Sequence, residues 1–360
     1  MAFHLLSGLR AHPDVELSVI ILNEGQLAHR LRKAGIATIV IDERENTFLQ
    51  IVSLAAHAIR SSRPLILHSH RYKENLIAYL VALRSGYRPA LVSTQHGMPE
   101  FYEGTPGLRN RIKIRVNYSL LSHKFHKTVA VSSDIKSALM HHHGFEEQHV
   151  ETIRNGIAIP GVKLPTNPKD SFVIGSAGRF VPVKDYLFMV EIAKEVSKET
   201  DKIVFELAGE GPMLSRIEEA ITRHGLESQF KLRGFMADID MFYRGLDAYI
   251  NTSIHEGVPM SVLEAMAVGL PAIAPRVGGL SEIVTDGIDG FLIEERSPSL
   301  FAKKCLTLYS DEKQRRRMST AAREKIVSQF SVEQMVKEYL ELYLHLLPKS
   351  NTQSNHKRQY

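Results

Sequence analysis

His255-Glu256-Gly257-Val258-Pro259-Met260-Ser261-Val262-Leu263-Glu264-Ala265-Met266 sets one Glu on a glycine-containing turn and a second Glu eight residues later. Pro259 suits the first turn of a helix, where a missing N–H leaves nothing unpaired. The stretch therefore predicts a turn running into a helix, with the amides of Val258, Met260 and Ser261 free at its start. Such an end is electropositive, and an anion carrying sugar hydroxyls is its natural guest. The plainer alternative is one Glu satisfying the helix dipole and a second facing solvent.

The flanking sequence alternates between strand and helix patterns. Upstream, Phe172-Val-Ile-Gly-Ser-Ala-Gly178-Arg179 reads as a buried strand ending in a turn, and Phe180-Val-Pro-Val-Lys184-Asp185 leads into an amphipathic helix. Short apolar strands are expected at 172–177, 202–207, 230–232, 248–251, 271–274 and 291–293. The first half repeats the rhythm at 17–22, 36–41, 65–68, 90–94 and 128–131, with helical stretches between. That alternation implies parallel sheets covered on both faces, and so an α/β chain of two doubly wound domains meeting at a cleft. The expected divisions are a domain at 1–159, a Pro-rich linker at 160–170, a second domain at 171–330, a helix at 331–348 and a disordered tail at 349–360. Ser331-Val-Glu-Gln334 has the form of a capping box for that last helix.

A chain of 360 residues has room for two such domains, and 44% apolar with 24% charged residues fits a globular protein. No apolar run approaches the ~20 residues of a spanning helix. The first ten residues lack the charged start and long apolar stretch of a signal peptide. A single cysteine, Cys305, excludes an internal disulfide framework and points to a reducing cytoplasm, with Cys305 itself core filler. Residues 1–150 hold 18 Lys and Arg against 12 Asp and Glu, so the excess positive charge lies in the first half. Arg109, Arg111, Lys113 and Arg115 interleave there with Leu108, Ile112 and Val116. This is either a surface for anionic lipid or a phosphorylated acceptor, or a solvated helix face. No aromatic-and-basic module accompanies the charge, so nucleic acid is not an expected partner.

The segment from Glu256 to Glu264, two Glu with seven residues between, resembles the donor-binding motif of the GT4 family, retaining glycosyltransferases of the GT-B fold. Gly178-Arg179 with Lys184, Leu207-Ala-Gly209-Glu-Gly211-Pro212, Leu232-Arg-Gly234-Phe235-Met236, Gly278-Gly279 and Asp286-Gly287-Ile-Asp-Gly290 extend the likeness in the family's order. In the first half it rests on Thr94-Gln-His96-Gly97, Val129-Ala-Val-Ser132-Ser133 and Ile153-Arg-Asn155-Gly156. The resemblance implies that Arg179 and Lys184 clamp the diphosphate of a nucleotide sugar, and that Glu264 accepts the ribose hydroxyls. It implies Glu256 near the donor sugar, His96 touching that sugar from the first domain, and Gly209, Gly234 and Phe235 around the base. Gly178, Gly257, Val258, Pro259, Met260 and Ser261 complete the donor set. It also implies that the last helix crosses back onto the first domain.

Relatives of that family place a strand and a glycine-rich turn ahead of the opening helix; here the chain opens on the helix itself. In a doubly wound sheet that strand is central, and without it neighbouring strands keep unpaired edges. The expectation is a misassigned or truncated start at Met1. The alternative function is then a truncated sugar-nucleotide-binding protein that does not catalyse.

As chemistry, two cations and a helix end can offset a departing diphosphate, Arg179 as a fork and Lys184 as a point charge. No metal and no cofactor are expected. Asp238-Ile-Asp240 has a metal-like spacing, but its position ahead of a helix favours capping. His68, His70 and Arg71 end a strand and suit either the acceptor side or plain structure; His141, His142 and His143 read as surface residues. The expected activity is transfer from a nucleotide sugar, UDP ahead of GDP, to a glycan or lipid-linked acceptor of envelope polysaccharide or lipopolysaccharide. The expected place is the cytoplasm, at the inner face of the membrane if the basic surface is used.

Overall fold

In a computed structural model, residues 1–97, 107–161 and 171–347 are described. Most of the expected linker and all of the expected tail lie outside them. The first lobe runs α1 (Ala2–Arg10), β1 (Ser18–Ile21), α2 (Gln26–Lys33), β2 (Ala37–Val40), α3 (Phe48–Ser62) and β3 (Ile66–Ser69). It continues with α4 (Tyr72–Ser85), β4 (Ala90–Gln95), α5 (Leu108–Lys124), β5 (Lys127–Ala130), α6 (Ser133–His143) and β6 (Val150–Thr152). The second lobe opens with β7 (Phe172–Ala177), α7 (Tyr186–Ser197), β8 (Ile203–Ala208), α8 (Leu214–Arg223), β9 (Phe230–Gly234) and α9 (Ile239–Arg244). After it come β10 (Ala248–Ile250), α10 (Met260–Ala267), β11 (Ala272–Pro275), α11 (Leu280–Ile283) and β12 (Gly290–Ile293). Helices α12 (Pro298–Ser310), α13 (Glu312–Gln329) and α14 (Val332–Leu346) close the chain. No helix among the described residues is long and apolar enough to cross a membrane.

Every strand read from the apolar runs forms; β6, three residues with one exposed Glu, carries no such run and went unread. The second-lobe sheet is a continuous parallel array in the order β12-β11-β10-β7-β8-β9. All residues of β7, β10, β11 and β12 are buried, which is why they read as unbroken apolar runs rather than alternating ones.

The first-lobe sheet is divided into β1-β2 and β3-β4-β5-β6. Ile20 of β1 and Leu67 of β3 pack on one apolar cluster, and Leu17 and Ile66 on another. Strands β1 and β3 thus share cores but no backbone ladder.

Helix α14 packs Met335, Val336, Tyr339 and Leu342 with Leu5 and Leu9 of α1, and so returns to the first lobe. The Asn155-Gly156 turn sits under that crossing. A Cβ at Gly156 would lie 2.5 Å from the Ser331 carbonyl oxygen, and the Ile157 amide donates to Phe330 O at 2.9 Å. Only half of the expected capping box forms: Ser331 accepts from the Gln334 amide at 3.2 Å, but the Gln334 side chain donates to Glu338 at 2.7 Å instead of turning back. One apolar cluster spans both lobes, from Leu91, Leu121 and Ile135 to Val258, Val262 and Leu280.

Candidate functional site

The C-terminal ends of β7 and β10 place the two loops that make the site. After β7, Lys184 closes a single helical turn and Asp185, in the left-handed region at φ 44°, caps α7. After β10, residues 251–254 run beside it: Thr252 Oγ1 donates to Lys184 O at 2.9 Å and the Ile254 amide to Val183 O at 2.8 Å. Arg296 braces both loops, donating to the carbonyls of Thr252 and Ser253 (3.0 and 2.9 Å) and to Asp185 Oδ2 (2.7 Å). The sequence reading passed over Arg296, because its loop after β12 carries no motif.

These braces bring Lys184 Nζ to 2.6 Å from Glu256 Oε1. The same oxygen accepts from Ser253 Oγ at 2.6 Å and from Asn251 Nδ2 at 3.4 Å, and Glu256 is buried. A buried carboxylate needs such partners, since losing them would leave its charge uncompensated. Asn251 and Ser253 were also missed, being polar residues on an apolar strand end. Arg179 is exposed and makes no ion pair among the described residues.

Pro259 stands at the N-cap of α10, one place before the position expected of it. Among the described residues the amides of Val258, Met260 and Ser261 have no partner, so the free helix end is present. The Gly278-Gly279 pair makes that turn possible. A Cβ at Gly278 would fall 1.9 Å from Glu256 O, and one at Gly279 would fall 1.8 Å from Gly257 O. Just over one turn into the helix, Glu264 accepts from Tyr243 OH at 3.0 Å. Burial raises the Glu264 pKa, against the lowering effect of that hydrogen bond. Near the β8 and β9 ends, the Gly209 amide donates to Gly234 O at 2.8 Å, and Phe235 stands 67% exposed beside them.

From the first lobe, His96 follows β4 and its carbonyl oxygen would be 2.6 Å from a Cβ at Gly257. The lobes therefore touch at the Glu256–Glu264 segment itself. His70 Nδ1 lies 3.1 Å from His96 Nε2. Burial holds His96 down to about 4, with the Met1 amine and Arg71 acting in the same direction. Across the cleft, Glu282 of α11 accepts from the Ser133 amide at 2.6 Å and from Arg154 at 3.4 Å. A second-lobe carboxylate thus caps a first-lobe helix.

Asp238 Oδ1 accepts from the Met241 amide at 3.3 Å, a helix cap. Among the described residues no group of three or more His, Cys, Asp or Glu is arranged to hold a metal ion. His141 and His142 are exposed, whereas His143 stacks on Tyr118 with ring centroids 3.8 Å apart. Cys305 is fully buried, and burial pushes its thiol pKa up. A cavity of about 450 Å³ lined by Glu24, Ile41, Asp42 and Glu45 shares no residue with the site.

Comparison with known proteins adds two family models, one for each half of the chain. Residues 163–325 match "Glycosyl transferases group 1", and residues 1–159 match "Glycosyltransferase Family 4". The Escherichia coli UDP-Gal:alpha-D-GlcNAc-diphosphoundecaprenol alpha-1,3-galactosyltransferase is 26% identical over 300 residues, 78% of this chain and 76% of that protein. The Bacillus anthracis N-acetyl-alpha-D-glucosaminyl L-malate synthase is 27% identical over 309 residues, 83% of this chain and 79% of that protein. Anabaena Alr3699/HepE, crystallised with UDP and glucose, superposes with a TM-score of 0.82 at 20% identity, covering 96% of this chain and 95% of that one. The architecture is GT-B, two Rossmann-like lobes.

Proposed function

This chain belongs to the group 1 glycosyltransferases of GT4 type, and on that premise we propose that it moves a sugar from a UDP-sugar to a glycan or lipid-linked acceptor, with retention and without a metal. The contact of Lys184 with Glu256 at 2.6 Å, with an exposed Arg179 following β7 and free amides at the start of α10, carries the reading. Glycosyl transfer builds positive charge on the anomeric carbon and negative charge on the departing diphosphate. Arg179 forks onto two phosphate oxygens, and Lys184 and the α10 amides hold the rest. Glu256 keeps the ammonium in place and turns its carboxylate to the sugar. Glu264 accepts the ribose hydroxyls, Phe235 with Gly209 and Gly234 flanks the base, and His96 reaches the sugar from the other lobe.

The bond from the anomeric carbon to the phosphate oxygen breaks as the acceptor oxygen bonds to the same face. The acceptor's proton passes to the departing phosphate, so no separate base is assigned. UDP is favoured because the Escherichia coli relative is named for UDP-Gal and the Anabaena structure holds UDP. A lipid-linked acceptor is favoured by the diphosphoundecaprenol in that relative's name.

The proposed workplace is the cytoplasmic face of the membrane. Leu108, Ile112 and Val116 form an exposed stripe at helical spacing on α5, flanked by exposed Arg109, Arg111, Lys113 and Arg115. Helix α5 contains no acidic residue. Such a face suits an anionic bilayer, where each cation near the surface adds ~1 kcal/mol.

The test is product analysis with UDP-sugars and lipid-linked acceptors, with and without EDTA. Transfer with retained configuration that survives EDTA is expected. Inverted product, or loss restored by Mn²⁺, refutes the corresponding part. The divided first-lobe sheet favours one rival, a noncatalytic sugar-nucleotide binder. Donor binding with no transfer to any acceptor would select it.

A further inference from the structure

Three imidazoles stand in a column between α14 and the cleft. The His68 and His70 rings stack at 4.4 Å and 30°, and the His70 and His96 rings at 5.4 Å and 16°. The inner end is fixed: His68 Nδ1 lies 2.6 Å from Tyr343 OH, and its Nε2 lies 2.8 Å from Thr94 Oγ1. Thr94 Oγ1 in turn lies 2.8 Å from Tyr339 OH. The outer end is the 3.1 Å contact of His70 Nδ1 with His96 Nε2.

Neutral imidazole carries one ring proton, and a hydrogen bond at one nitrogen decides the role of the other. With Nε2 engaged by His70, His96 offers only Nδ1 to a ligand, as a donor if His70 donates across the contact and as an acceptor if His70 accepts. A stack anchored on α14 also restricts the ring's rotation, so the ring is set before any ligand arrives.

We infer that His70 is a positioning residue, which fixes the tautomer and ring orientation that His96 presents to the donor sugar. This rests on the reading of His96 as a sugar contact. Burial and then the surrounding positive charge favour the neutral column. His68 is held down to about 3 and His70 well below its ordinary value, with His68, the Met1 amine and Arg71 as the charged or titratable neighbours acting on the His70–His96 pair.

The experiment uses the full chain labelled with ¹⁵N-histidine. Affinities are measured for UDP and for UDP-glucose, UDP-galactose and UDP-N-acetylglucosamine. In the wild type, His96 should show one tautomer and no titration near pH 6.5. His70→Ala should give His96 a mixture of tautomers and weaken the best-bound UDP-sugar about tenfold, with UDP itself changed less than twofold. His70→Asn, which keeps a hydrogen-bonding group near the Nδ1 position, should restore most of the loss. A wild-type His96 in rapid tautomer exchange overturns the proposal without any variant, as does an unaltered His96 spectrum in His70→Ala. If His96→Ala leaves the gain of UDP-sugar over UDP intact, the sugar-contact reading fails. The spectra still decide the positioning claim in that case.

Discussion

The two lobes build their halves of the cleft by different means. In the second lobe, the groups assigned to the donor phosphates come from two loops at the ends of β7 and β10, backed by the Gly278-Gly279 turn and Arg296. Each piece is a short local segment on a continuous six-stranded sheet. In the first lobe, His96 reaches the cleft at the end of a ring column whose far anchor, Tyr343, lies 275 residues from His68 in sequence. Its sheet is divided, and α14 supplies part of the core. The second-lobe side is therefore held by two neighbouring loops and the side chains that brace them, and the opposite side by packing against α14.

The comparison breaks first at Arg179. Its guanidinium is exposed and unpaired among the described residues, so its removal leaves no buried charge behind and stability should hold. Turnover should nevertheless fall by ~10²-fold or more, as for loss of one preorganised donor to developing charge. Thermal melts beside steady-state kinetics separate the two effects. Normal turnover in Arg179→Ala would remove the phosphate clamp from the second lobe.

Glu264 gives the next effect. Charged hydrogen bonds are worth roughly 1.5–3 kcal/mol, so Glu264→Ala should weaken UDP binding by about ten- to a hundredfold. A pH series sharpens this. Burial raises the Glu264 pKa in the fold, so its contribution to stability is present below the unfolded value and is lost as pH rises through the folded one. The carboxylate form is the one that accepts ribose hydroxyls, so UDP affinity should move the other way and fall as pH drops through the raised pKa. Calorimetry in two buffers would show proton release on binding at the acid end. A pH-independent affinity in the wild type, equal to that of Glu264→Gln, would detach this residue from the ribose.

Legibility followed the same line between the lobes. The turn from Glu256 to Glu264 was readable from residue type and spacing, whereas Gly178-Arg179 and Gly278-Gly279 were picked out by the family resemblance. A Cβ 1.8 Å from a carbonyl oxygen tolerates no substitute for Gly279. Arg296, Asn251 and Ser253 were not readable, since they act through the loops they brace and their spacing from those loops is unconstrained. His68 and His70 were singled out by type and strand position, but alternation along β3 gives no sign of a stack completed by α14. The stretch at α5 was visible as basic and apolar residues interleaved, with two readings left open. Only the fold shows that Leu108, Ile112 and Val116 stay exposed while Tyr118 and Leu121 turn inward.

That exposed stripe supplies the smallest effect and the sharpest test of the first lobe's distinct role. Ile112 is 54% exposed, so replacing it with Ser removes little packing and should leave the melting temperature and UDP affinity unchanged. At a bilayer the same side chain would gain part of the ~1.5–3 kcal/mol of a fully buried Ile. About 1 kcal/mol of that corresponds to a roughly fivefold loss of partitioning. Sedimentation with vesicles of 30% phosphatidylglycerol should show it, and raising the salt should weaken wild type and variant alike as the flanking cations are screened. Equal partitioning of Ile112→Ser and wild type would leave α5 an ordinary solvated helix. The difference between the lobes would then reduce to how each holds the donor.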